Sequence, residues 1–184
     1  MVATEAGAVS AEGAVAGETS LTSILMYTSD PLWQRISLYH PDKPGVELSF
    51  SQRLARENGW NRRFALRAIE EYKRFMYLVC SGTTPVTPSE TVDQVWHLHL
   101  IYSKLYWEEF CGAVLQQPVH HSPTEGGKIE QGKFAQFYSD TLQRYQETFG
   151  EAPPSDIWPP LSKRFGTAKW RWVDLKRFWL VPKW

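Results

Sequence analysis

The stretch from Thr87 to Leu115, TPSETVDQVWHLHLIYSKLYWEEFCGAVL, decides the fold. It opens with a start signal. Thr87 can cap, Pro88 suits a first turn, and Glu90 stands three residues on, where it can reach back to the cap. Val92, Val95, Trp96 and Leu98 to Leu100 then follow with no glycine or proline between them. This is the pattern of a helix with a buried side, running on through Leu115 either whole or broken.

Working outward, the same punctuation recurs. Asp30-Pro31 predicts a capped short helix to about His40, and HPDKPGVE after it is a loop. Ser49 and Gln52 have capping-box spacing, with Gly59 as a stop. Phe64, Ala68, Tyr72, Phe75, Met76 and Val79 recur at three or four residues, which predicts a longer helix from about Asn61 to Cys80, ended by Gly82. Lys73, Arg74 and Tyr77 on that helix, with Tyr72, could line a cleft but read first as a solvated face. Past the loop HHSPTEGG, Phe134, Phe137, Tyr138, Thr141, Tyr145 and Phe149 form one stripe from about Lys128, and Gly150 follows. No run has the period of a strand, the last fifteen residues being the one ambiguous place. The expected fold is all-α: a single small bundle of four or five helices with an irregular Pro/Trp-rich C-terminal segment.

The bulk numbers agree with that size. The 184 residues fit one domain with tails, and 9 Trp, 8 Tyr and 9 Phe give a core large apolar area. Residues 1–21 carry small residues and three glutamates and read as a disordered tail, not a signal peptide. Residues 22–168 form the helical domain, and 169–184 a basic Trp-rich segment. The formal net charge is zero, so no overall field points to nucleic acid and no DNA signature is present. Two cysteines, Cys80 and Cys111, make no disulfide framework and predict a cytoplasmic protein.

Four of the five histidines cluster as WHLH (His97, His99) and VHH (His120, His121). On a helix, residues two apart lie nearly opposite, so His97 and His99 cannot serve one site. Asp93, four before His97, shares its face. Asp93 and His97 therefore offer a carboxylate and an imidazole together, and a site for zinc or iron needs a third group. Neighbours in an extended loop point opposite ways, so one of His120 and His121 is expected to face the pair while the other packs or caps. Cys111 and His99 are the weaker candidates. Cys111 stands fourteen residues past His97 and joins only if the helix breaks. The alternative is a buried His97–Asp93 pair with His99 among aromatics, and no metal.

Val92-Asp93-x-x-Trp96-His97-x-His99-Leu100, then Tyr106, Phe110-Cys111, His120-His121-x-Pro123, Tyr138 with Thr141-Leu142 and Tyr145, Phe149-Gly150, Pro153-Pro154 and Trp158-Pro159 resemble the glycine-rich domain-containing protein family. The resemblance spans about residues 85–160 and is nearest to the family's short bacterial-type relatives. Plant members are linked to development and stress, some with an added RNA-binding module. This chain has 12 scattered glycines and no such module, so those roles do not carry over. The resemblance implies no reaction, but its positions include Asp93, His97, Cys111, His120 and His121.

The segment KWRWVDLKRFWLVPKW, from Lys169, sets five cations and four indoles against Asp174 alone. It supports a different function: a metal-free interaction module that meets a protein, a membrane surface or RNA through aromatic surface and this tail. The competing reading folds these tryptophans onto the core under Lys and Arg stems.

Overall fold

Capping chemistry sets where each helix starts. The computed structural model describes residues 25–122 and 128–165. Both proposed tails, 1–21 and 169–184, therefore lie outside the described residues, and so do the readings attached to them. After a helical turn over 25–29, α1 (Pro31–Leu38) is capped by Asp30, whose side chain accepts from Leu32 N at 2.8 Å. In α2 (Phe50–Asn58) both bonds of the Ser49–Gln52 capping box form, and Gly59 ends the helix at φ 66°. That left-handed backbone favours glycine. Asn61 caps α3 (Arg62–Ser81) through Phe64 N, and Ser89 caps α4 (Glu90–Ile101) through Val92 N.

The cap of α4 differs from the sequence reading. Ser89 takes the role assigned to Thr87, and the helix starts at Glu90. Thr87 is buried instead, and its N–H donates to Thr141 Oγ1 at 2.9 Å. Tertiary packing has claimed the residue that local chemistry offered as a cap. Replacing Ser89 by Ala is expected to cost about 1 kcal/mol of unfolding free energy in a denaturant titration. An unchanged midpoint would return the cap to another residue.

The bundle is built around α3, which packs against α1, α2 and α4. Ala65, Ala68, Ile69, Tyr72, Phe75, Met76 and Leu78 are buried along it. The solvated face does not lie where predicted. Tyr72 and Tyr77 are core residues, and Lys73 is buried with Nζ bonded to Ser37 O (2.8 Å) and Glu70 Oε1 (3.1 Å). The exposed side of this helix runs instead through Arg63, Arg67 and Glu70, so the buried Lys73 is neutralised by local partners. Gly82, which follows α3, has ordinary extended backbone. A Cβ there would lie 1.8 Å from Arg144 Nη2, so the guanidinium that donates to Leu78 O at 2.7 Å would have to shift.

The long run after α4 does break, at Tyr102. Its second part, Leu105–Leu115, winds as a π-helix. The buried residues show why. Leu105 and Tyr106, then Phe110 and Cys111, then Leu115 recur every four to five residues, wider than an α-helix allows. The π-helix packs against α1, where Arg35 Nε donates to Val114 O at 2.7 Å. It closes at Gln116, a non-glycine residue with φ 58° whose N–H returns to Cys111 O. After the loop, α5 (Lys128–Phe149) buries Tyr138, Thr141, Tyr145 and Phe149 along the expected stripe, and Gly150 follows with φ 69°. A short α6 (Leu161–Arg164) follows the proline-rich turn. The fold is all-α, and among the described residues there is no strand. No described helix is long and apolar enough to cross a membrane.

Candidate metal centre

Asp93 sits one turn into α4, where the acidic side chain also suits the positive helix end. His97 lies one turn further on the same face. Their closest approach is 3.8 Å, from Asp93 Oδ2 to His97 Nε2. The loop beyond the π-helix returns to this face and brings His121 with it. His121 Nε2 donates to Asp93 Oδ1 at 2.7 Å, and the two imidazole rings lie 4.7 Å apart between centroids. Ligand-capable atoms of Asp93, His97 and His121 all lie within 4.8 Å of one another.

Burial grades across the cluster. Side-chain exposure is 18% for His121, 22% for Asp93 and 49% for His97, so one side of the group meets solvent. The back is aromatic: Trp96 meets His121 edge-on at 4.3 Å between ring centroids.

The doubled histidines divide as adjacent loop residues should. His121 faces Asp93 and His97. His120 turns outward and packs on Trp107 with ring centroids 5.3 Å apart, so it takes no part in the cluster.

His99 and Cys111 stand apart from the cluster as well. Lying two residues from His97, the His99 ring points to the far side of α4 and is fully buried. Nε2 is bonded to Tyr39 Oη (2.9 Å) and Nδ1 to Tyr72 Oη (3.0 Å), with Phe50, Tyr106 and Phe110 around the ring. Burial lowers its pKa from 6.5 to about 3, so it is a neutral core group. Cys111 misses the cluster although the helix breaks, because the wide π-turn aims it inward beside Phe110. Cys80, at the end of α3, is half-buried, and burial pushes its thiol up to about 11.

Sequence reading passed over two features here. Trp96 was assigned to the core alone, yet it also forms the wall behind His121. Glu71 was not singled out, although it is a buried carboxylate that accepts from Trp158 Nε1 at 2.8 Å. An acid flanked by Ala68, Ile69 and Tyr72 on a helix enclosed by neighbours was the available signal.

Three donors from two elements, one carboxylate and two imidazoles, match a divalent transition-metal set in number and type. Around an ion with bonds of about 2.1 Å, donor atoms lie roughly 3 to 3.4 Å apart. Asp93 approaches His121 Nε2 through Oδ1 at 2.7 Å and His97 Nε2 through Oδ2 at 3.8 Å, distances near that spacing. Comparison of the chain with models of known protein families, with curated proteins and with solved structures found no match.

Proposed function

We propose that this protein is a metal-binding helical domain in which Asp93, His97 and His121 hold one divalent ion, zinc or iron. The observation that carries the reading is the convergence of the three side chains within 4.8 Å, from residues twenty-eight apart in the chain. Three protein ligands are the usual complement of a site with an open position, whereas closed structural zinc sites take four. The solvent-facing side of His97 is where that position would lie. A bound divalent ion would supply Lewis-acid activation of water there, compatible with metal-assisted hydrolysis.

The chain's own part is to present the donors in the right state. Asp93 uses one oxygen toward each histidine. His121 Nε2 carries a proton while it donates to Asp93, so it can ligate through that nitrogen only as the other tautomer, with the proton moved to Nδ1. The resemblance to the glycine-rich domain-containing protein family belongs to the same reading, since Asp93, His97 and His121 are among the residues that carry it. A cytoplasmic setting suits two free thiols.

Elemental analysis of protein purified without chelator is expected to find about one equivalent of zinc or iron. Asp93→Asn and His121→Ala should lose it, and His120→Ala should keep it. Metal-free wild-type protein, or equal loss in His120→Ala and His121→Ala, would reject the assignment.

A further inference from the structure

We infer that Trp96 and Tyr106 are positioning residues for His121, acting through a hydrogen-bond relay that fixes the loop carrying it. The inference rests on the metal reading for its affinity test, but its structural arm is independent. Trp96 Nε1 donates to Tyr106 Oη at 3.0 Å, and Tyr106 Oη donates to Val119 O at 2.5 Å. All three residues are buried, Tyr106 completely. Three segments meet in this chain: α4, the π-helix, and the loop two residues before His121.

The polarity of the relay is forced. An indole N–H is a donor only, so Tyr106 Oη must accept from Trp96. Its single proton is then free for the Val119 carbonyl, which has no proton to give. Each bond polarises the next, and no water is needed to complete the chain. Trp96 contributes a second time, because its ring edge packs on the His121 imidazole at 4.3 Å. The loop is thus pinned at Val119 from below while His121 is braced from behind. Without the pin, His121 keeps Asp93 as a looser partner, on a loop held by the side-chain packing of Val119 and His120. Residues that hold a metal ligand in place typically change affinity by about 10- to 100-fold when removed.

The matched control lies elsewhere in the same core. Tyr138 is also fully buried, and its hydroxyl also donates to a backbone carbonyl, Pro159 O at 2.8 Å. Tyr106→Phe and Tyr138→Phe each delete one such bond, but only the first touches the relay. Cobalt(II) titration followed by visible absorption reads the site. Tyr106→Phe is expected to weaken cobalt binding by about 10- to 100-fold and to alter its d–d spectrum. Tyr138→Phe should leave both unchanged at a similar loss of stability. In the metal-free protein, NOEs between the Trp96 and His121 rings should vanish in Tyr106→Phe and persist in Tyr138→Phe. Should Tyr106→Phe fail to fold, Trp96→Phe keeps an aromatic wall, removes the first donor, and should weaken cobalt binding in the same direction. Should wild type bind no cobalt, the metal reading falls alone and the NOEs decide the positioning. Retained NOEs in Tyr106→Phe, or equal cobalt loss in the two tyrosine variants, overturn the inference.

Discussion

Acidification from pH 6.5 toward 3 is expected to remove on the order of 4–5 kcal/mol of unfolding free energy through His99 alone. The ring is fully buried, and both its nitrogens are bonded to tyrosine hydroxyls, Tyr39 and Tyr72. A neutral imidazole fits that pair: one nitrogen donates and the other accepts. Charging it places a cation in an aromatic core with no anion against it, which is why its pKa falls to about 3. The unfolded chain takes up a proton below about 6.5, while the folded protein refuses it until near 3. The stabilisation is therefore complete above pH 6.5 and declines by about 1.4 kcal/mol per pH unit below it. Guanidinium titrations at pH 7, 5.5 and 4.5 measure this directly. Between 6.5 and 4.5 the wild type should lose roughly 2–3 kcal/mol more than His99→Gln. Parallel pH slopes for the two proteins, or a His99 ring that titrates near 6.5 by NMR, would contradict the burial argument.

How far the sequence could be read depended on whether a signal was local. Asp30-Pro31, the Ser49–Gln52 box, Gly59 and Gly150 act within a few residues of themselves, and each sits where its chemistry places it. Asp93 and His97 share a face through helix periodicity alone, and that too was legible. Thr87 was misread because its partner, Thr141, is fifty-four residues away. Lys73, Arg74 and Tyr77 were misread for the same reason: how many sides of α3 are covered is a property of the whole bundle. The π-helix left a trace that went unread. Leu105-Tyr106, Phe110-Cys111 and Val114-Leu115 recur every four to five residues, a period longer than those sought for an α-helix or a coiled coil. Which of His120 and His121 turns inward depends on the loop's exit from Gln116, a left-handed non-glycine residue that no residue-type rule would flag.

Arg74→Ala is expected to cost roughly 3–5 kcal/mol at neutral pH, because it leaves the buried Glu71 carboxylate without its cation. Glu71 is 7% exposed and accepts from Trp158 Nε1 (2.8 Å) and Tyr145 Oη (3.2 Å), with Arg74 Nη1 at 3.5 Å. Arg74 in turn bonds the Tyr145 hydroxyl and Glu151. The group ties the end of α5 and the Pro/Trp turn to α3, so its loss loosens that whole side of the bundle. Burial raises the Glu71 pKa above the ordinary carboxylate value, outweighing Arg74, Trp158 and Tyr145, which all act to lower it. The sign is thus opposite to that of His99. The folded state holds its proton at a pH where the unfolded chain has released it, so this term favours folding more as the pH falls. Removing Arg74 raises the Glu71 pKa further, and a protonated Glu71 no longer requires a cation. The cost of Arg74→Ala should therefore be largest at pH 7 and shrink toward pH 4.5. It should also be much smaller in a Glu71→Gln background, where the acceptor for Trp158 remains but the charge is gone. Chemical denaturation of the four proteins at both pH values closes this double-mutant cycle. A cost that is the same at both pH values and in both backgrounds would show that Arg74 acts by packing over Tyr145 and Phe149, whose rings lie 5.6 and 5.3 Å from its guanidinium, and not by pairing the buried acid.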